Sequence, residues 1–278
     1  MYFPFFKLKS WGKISGSSRR RFNQRLLSSE KATEQTASSL FIWEDTMSIA
    51  ENVKRIKEEM AEAARKCGRD PAEILLCAAT KMNDSENVRQ AIAAGVDCCG
   101  ENRVQELTQK LGENAYEGAP VHFIGHLQTN KVKQVVGKVD LIQSVDSFRL
   151  LEAIDKEAGK QNLVQDILLE VNIGYQDSKS GFLLEDMNTI CEKIAAFSNI
   201  RVVGLMAIPP ISTFSGENTK FFQQMYNLSV DITAKKYDNI CVDILSMGMS
   251  DDFADAIACG STMVRVGTAI FGQRNYGQ

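Results

Sequence analysis

Beyond residue 46 the chain is a succession of short, almost wholly apolar runs, separated by longer stretches in which apolar residues recur every three or four positions. Eight of the short runs read as strands: 74–80, 96–99, 121–125, 141–145, 166–173, 201–208, 242–247 and 263–266. Between them the spacing is helical. Ile49, Val53, Ile56, Met60 and Ala63 predict an amphipathic helix just after Met47, and Leu183, Met187, Ile190, Cys191 and Ile194 predict another. Ser147 is placed to cap a helix starting at Phe148, and Ser250 or Asp251 to cap one that ends before Cys259.

Strands without period-two alternation are buried on both faces, which is the mark of a parallel sheet covered by helices. Eight strand–helix units in about 230 residues match a single closed (β/α)8 TIM barrel of α/β class. A doubly wound open sheet is the alternative. No GxGxxG follows the first strand, which weakens its dinucleotide-binding version.

The first 46 residues stand apart. Residues 1–29 carry seven basic side chains, no acidic ones, and serines at 10, 15, 17, 18, 28 and 29. This is either a mitochondrial transit peptide or a basic, disordered or spurious extension ahead of a start at Met47, so the domain is expected to span 47–278. The first reading implies a mitochondrial protein and the second a cytoplasmic one. Without that segment the chain holds 24 basic and 31 acidic residues, a mildly acidic body that argues against nucleic acid as partner. No apolar run approaches the roughly 20 residues of a membrane span. Seven cysteines without framework spacing indicate a reducing compartment and mostly buried thiols. Two histidines, His122 and His126, lie in a strand-like run, where a spacing of four does not make a metal pair, and no metal site is expected.

Candidate chemistry begins at Lys81, an amine closing the first apolar run. At the edge of a water-poor interior, desolvation favours the neutral amine, a nucleophile toward carbonyls. In such barrels functional groups sit where strands end, here Lys81, Asn102, His126, Ser144, Asn172, Met206, Ser246 and Arg265. The loops after the last two strands carry Ser246, Gly248 and Ser250, then Gly267 and Thr268, and that is where barrels hold phosphate. A reactive lysine facing a phosphate cradle suggests either a sugar-phosphate aldolase or a pyridoxal 5′-phosphate (PLP) protein. Arg265 favours PLP: an arginine can meet the pyridine nitrogen only as a donor, which leaves the ring a weak electron sink.

The chain resembles the pyridoxal phosphate homeostasis proteins (the YggS/PROSC family), which are alanine racemase N-terminal-domain-like barrels. The resemblance covers residues 47–278. It rests on Cys77-Ala78-Ala79-Thr80-Lys81, Gly100-Glu101-Asn102-Arg103-Val104-Gln105-Glu106, and the stretch from His122 through Gly125-His126-Leu127-Gln128-Thr129-Asn130-Lys131. It continues through Ser178-Lys179-Ser180-Gly181, Leu245-Ser246-Met247-Gly248-Met249-Ser250-Asp251 and Val264-Arg265-Val266-Gly267-Thr268. It implies a covalent aldimine on Lys81, Arg265 at the pyridine nitrogen, Ser246, Gly267 and Thr268 on the phosphate, and Asn102 beside the ring. Arg103, Val121 and Gln143 depart from residues frequent in the family. They are expected to affect the rim of the pocket and to touch neither Lys81 nor the cradle.

Racemisation needs an acid/base on each face of the substrate carbon. In alanine-racemase-like enzymes the second comes from a tyrosine of another domain, and after the last strand only residues 268–278 follow here, with Tyr276 in that tail. The resemblance therefore implies a monomeric protein without vigorous turnover that buffers PLP and hands it over, possible recipients being PLP-requiring apoenzymes. The other readings are a PLP-dependent amino-acid racemase using His126 or a partner's tyrosine, and the aldolase. Lys179 is expected to be a solvated loop lysine, with a ligand contact as the alternative.

Overall fold

Eight parallel strands close on themselves in chain order, so that the last pairs with the first. They are β1 (Leu75–Ala79), β2 (Cys98–Glu101), β3 (Val121–Phe123), β4 (Leu141–Val145), β5 (Gln165–Val171), β6 (Ile200–Ala207), β7 (Ile240–Ser246) and β8 (Met263–Val266). The computed structural model describes residues 47–272 except 177, 178, 212, 213 and 215; the basic extension over 1–46, Ser178 and Tyr276 lie outside them. The closed ring settles the choice between barrel and open sheet.

The helices are α1 (Ile49–Lys66), α2 (Ser85–Ala93), α3 (Val104–Gly112), α4 (Phe148–Lys160), α5 (Met187–Ile194), α6 (Thr219–Lys235), α7 (Phe253–Ala258) and α8 (Thr268–Phe271). A capping box starts α1: Glu51 N donates to Ser48 Oγ at 3.2 Å, and Ser48 N donates to Glu51 Oε2 at 2.8 Å. Its buried stripe runs Val53, Ile56, Met60 and Ala64, one position past the expected Ala63. α1 packs between α2 and the short α7 and α8, where Asn52 Nδ2 donates to Ile270 O at 3.0 Å. The β3–β4 link carries a 3₁₀ helix, Thr129–Gln134, in place of an α-helix.

Two caps differ from expectation. Ser147 holds the N-cap position of α4, but its hydroxyl donates to Asp146 Oδ1 at 3.0 Å and caps nothing. Before α7 the cap position falls to Asp252, where neither Ser250 nor Asp251 stands. Its carboxylate accepts from Met249 N at 2.7 Å and from Asn218 Nδ2 at 2.8 Å, which binds the β7–α7 loop to the start of α6.

β1 explains the unbroken apolar runs. Leu76 and Ala78 point outward into the main core with the helices, while Cys77 and Ala79 point into the barrel beside Cys98, Ile124 and Met263. Leu141, Leu168 and Met206 fill the other side of the interior. Both faces are thus buried, and each large side chain removed from water contributes roughly 1.5–3 kcal/mol.

Candidate functional site

A cavity of about 540 Å³ opens where the strands end, lined by Lys81, Asn102, Arg265, Gly267 and Thr268 together with Ala79, Ile124, Ile208, Met249, Ser250, Asp251 and Ala269. A side pocket of about 220 Å³ shares Asn102, Ile124 and Ile208 with it and adds His126, Ser144, Glu170, Asn172 and Lys179. Five of the six residues expected to form one site therefore surround one cavity. Ser246 does not.

Lys81 and Asn102 owe their positions to the residues just before them. Thr80, just past β1, and Glu101, the last residue of β2, face outward, where Lys110 of α3 reaches in. Lys110 Nζ lies 2.6 Å from Glu101 Oε1 and donates to Thr80 O at 2.8 Å, and the Thr80 hydroxyl donates to the same carboxylate oxygen. Tyr116 completes the cluster at 3.3 Å; burial first, and then the Glu101 charge, push its phenol well above the ordinary range. All of this is inaccessible to water, so the two strand ends are clamped together.

On the other side of Asn102, Gly125 approaches its backbone. A Cβ on Gly125 would stand 2.2 Å from Asn102 O, which only glycine avoids, and Ser144 Oγ donates to Gly125 O at 2.5 Å. Asn102 Oδ1 is itself buried with no hydrogen-bond partner among the described residues. A buried acceptor left without a donor on a cavity wall is suited to meeting a ligand's donor.

Arg265 is almost fully buried. Its Nη1 donates to Ser246 O at 2.8 Å and to Ser246 Oγ at 2.7 Å, and its Nη2 donates to Ala207 O at 3.0 Å. Desolvation lowers its pKa, with Cys77, Glu170 and Asp252 opposing. Three bonds to neighbouring strands fix the guanidinium on the cavity floor. They also consume Ser246: its hydroxyl accepts from Arg265 and donates to Gln143 Oε1 at 2.7 Å, and the residue is fully buried. Ser246 thus supports Arg265 from below and is not exposed to a phosphate. Gln143, expected at the rim, lies in the barrel interior as the next member of this chain.

The hydroxyl at the mouth is Ser250, four residues on. Gly248, with φ +93°, turns the chain between them, and a Cβ there would meet Ala256 Cβ at 2.6 Å. Gly248 therefore serves the turn and the packing of α7. Ala269 N lies 3.5 Å from Ser250 Oγ, which joins the loops after β7 and β8 around the cavity.

The side pocket holds the groups with the least obvious sequence signal. Glu170 faces inward from β5, and burial, reinforced by Asp146 and opposed by Arg265, His126 and Lys179, pushes its carboxyl up to about 7. The one hint is an acid inside the apolar run Leu168-Leu169-Glu170-Val171. Lys179 donates to Ile208 O at 3.2 Å and Pro209 O at 2.7 Å, so it is held against the pocket and is not a solvated loop lysine; desolvation lowers its pKa, with Glu170 opposing. His126 is largely exposed, 3.2 Å from Asp146, whereas His122 points into the barrel. The two histidines do not act together.

Chemically the site offers an amine, a fixed guanidinium, an orphaned amide oxygen and two hydroxyl-bearing loops converging on one space. That set suits a small ligand with a carbonyl and an anionic group.

Residues 45–275 match the family model described as alanine racemase, N-terminal domain. The chain is 39% identical over 230 residues to the pyridoxal phosphate homeostasis protein of Aquifex aeolicus, covering 83% of this chain and all of the relative. The protein of that name from Escherichia coli K12 is 36% identical over 231 residues, covering 82% and 97%. Among solved structures, PipY of Synechococcus elongatus with PLP bound superposes with a TM-score of 0.67 at 31% identity, over 77% of this chain and 100% of that one. An unknown protein from Bifidobacterium adolescentis gives a TM-score of 0.76 at 37% identity, over 80% and 94%.

Proposed function

The chain belongs to the pyridoxal phosphate homeostasis protein family, built on the alanine racemase N-terminal domain, and from that premise we propose that it binds PLP, buffers it and hands it over without vigorous turnover. The observation that carries this reading is the convergence of Lys81, Asn102, Arg265, Gly267 and Thr268 on one cavity. The residues fit the cofactor: a cradle of two loops for the phosphate, an orphaned Asn102 Oδ1 on the wall, and a buried cation on the floor.

In this reading Lys81 is the amine that bonds covalently to the cofactor's aldehyde carbon. When bound, PLP supplies an electrophilic carbon conjugated to an electron-withdrawing ring. The ring nitrogen would then meet Arg265, which can only donate to it and so would favour its unprotonated form, weakening that withdrawal. Gly267, Thr268 and Ser250 hold the phosphate, Ser250 taking the place first given to Ser246. No tyrosine is found among the described residues lining the two cavities, and His126 is engaged with Asp146 at the solvent edge. Its relatives are named as homeostasis proteins, which supports a carrier over a racemase.

We place the protein in the cytoplasm as a monomer that delivers PLP to apoenzymes. All seven cysteines are free thiols, in keeping with a reducing compartment, and no described helix is long and apolar enough to cross a membrane.

The test is the visible spectrum of the purified protein beside Lys81→Ala, before and after borohydride. A yellow band in wild type alone, fixed by reduction onto a peptide containing Lys81, is the expected result. No band after adding PLP would overturn the reading and direct assays to sugar-phosphate aldolase activity.

A further inference from the structure

Directly beneath the cavity floor, three soft donors meet in the barrel interior. Cys77 of β1 and Cys98 of β2 are register partners on adjacent strands, and His122 of β3 lies beside them. Both sulfurs and a ring nitrogen lie within 4.8 Å of one another, with Cys98 Sγ 3.5 Å from His122 Nδ1. All three residues are buried, at 0%, 2% and 7% exposure. The spacing in sequence, 21 and then 24 residues, carries no metal signature, so only the closure of the barrel reveals the group. Cys99, which follows Cys98, faces the outer core and takes no part.

The hydrogen-bond chain from Arg265 fixes how His122 presents itself. An arginine can only donate, so Ser246 Oγ accepts from it and must donate onward to Gln143 Oε1. That orients the amide so that Gln143 Nε2 donates to His122 Nδ1 at 2.9 Å and to Met263 Sδ at 3.1 Å. His122 Nδ1 is therefore an unprotonated acceptor, held by Gln143 with Cys98 Sγ 3.5 Å away, and its proton sits on Nε2. This is the tautomer a metal ion needs.

We propose that Cys77, Cys98 and His122 form a buried, three-coordinate binding site for a monovalent copper ion. Two sulfurs and an imidazole, with no carboxylate among them, make a soft donor set. Structural zinc takes four protein ligands, and catalytic zinc three with a water in the open position; a closed interior supplies neither. Monovalent copper accepts three soft donors in a plane. On binding, two S–Cu bonds and one N–Cu bond form, two S–H bonds break, and both protons leave to solvent with no change of oxidation state. Gln143 gives up His122 Nδ1 and keeps Met263 Sδ. The resulting net negative charge lies next to Arg265, the register partner of Cys77 on β8.

Other features agree with this assignment. Gly100 leaves space at the cluster, since a Cβ there would stand 2.9 Å from Cys77 Sγ. Ala79 and Ile124 pack with the two thiols and also line the cavity, which makes the barrel mouth the route of access.

The test is anaerobic competition for Cu(I) between the reduced full-length protein and the chelator bicinchoninate, with X-ray absorption on the wild-type complex. One equivalent should be withheld from the chelator, with a first shell of two sulfurs and one nitrogen. Cys77→Ala and Cys98→Ala should each weaken binding by more than the ~10–100-fold typical of losing an outer-shell partner. The double variant Cys67→Ser/Cys241→Ser, which removes the two exposed thiols, should bind as wild type. Full surrender of copper to the chelator would overturn the proposal, as would a shell without nitrogen or binding lost only in the surface double variant. The wild-type absorption result stands even if a core variant fails to fold.

Discussion

Lys110 and Glu101 form a fully enclosed ion pair, 2.6 Å apart with side-chain exposures of 5% and 0%; Glu101 directly precedes Asn102, and Lys110 also holds the carbonyl of Thr80, the residue before Lys81. Removing one partner strands the other charge away from water, which costs about 3–5 kcal/mol, whereas replacing both with apolar residues is often near neutral. Lys110→Met should therefore lower the melting temperature by on the order of 10 °C. Lys110→Met combined with Glu101→Leu should recover much of that loss. A differential-scanning melt of the three proteins decides it: equal melting for the single variant and wild type would show that the pair is not a clamp.

Gly125→Ala tests the opposite wall. The new methyl would collide with the Asn102 backbone, which cannot swing away as a side chain could. Overpacking of this kind costs about 1–3 kcal/mol when side chains yield, and more against backbone. The expected outcome is a PLP affinity reduced by at least about tenfold, read by fluorescence titration, because Asn102 is displaced. Unchanged affinity would mean that Asn102 does not face the ligand.

The legibility of this chain in sequence followed burial. Strands buried on both faces read as unbroken apolar runs, and β4 and β8 fall on their expected bounds. β2 was expected at 96–99 and lies at Cys98–Glu101, because its last residue is a carboxylate buried only through Lys110, nine positions away on α3. No period in the sequence announces such a pair. The cavity residues were legible for a topological reason: a barrel sends every strand end to one mouth. Ser246 and Ser250 look equivalent on the page, but the first is still in the strand and the second lies beyond the Gly248 turn. Glu170 and the Cys77–Cys98–His122 group became visible only once inward-facing positions of different strands were set side by side.

The two serines make separable predictions. Ser250→Ala removes a hydroxyl from the mouth, where the phosphate is proposed to sit. It should weaken PLP by about tenfold, the effect of losing one hydrogen bond to a charged group, and leave phosphate-free pyridoxal unaffected. Ser246→Ala leaves Arg265 and Gln143 each short of a partner and should weaken PLP and pyridoxal alike. Parallel titrations with the two ligands would reverse the assignment if Ser246→Ala alone abolished the preference for PLP.

Glu170 gives the site a pH dependence with a defined sign. Its folded carboxyl is pushed up to about 7 from an ordinary 4.5, chiefly by burial, so the folded state holds a proton that the unfolded chain releases. The stability this contributes is complete below pH 4.5 and is lost as pH rises through 7. At about 1.4 kcal/mol per unit the whole effect is roughly 2–3 kcal/mol, discounted for the part of the side chain that water reaches. Glu170→Gln carries no such proton, and every other titrating group is shared by the two proteins. The difference between their urea-unfolding free energies should therefore drift in favour of the variant between pH 4.5 and 7 and level off above. A drift in favour of the wild type would mean that Arg265 and Lys179 hold Glu170 ionised, and that the pocket floor is an ion-paired network in place of a desolvated acid.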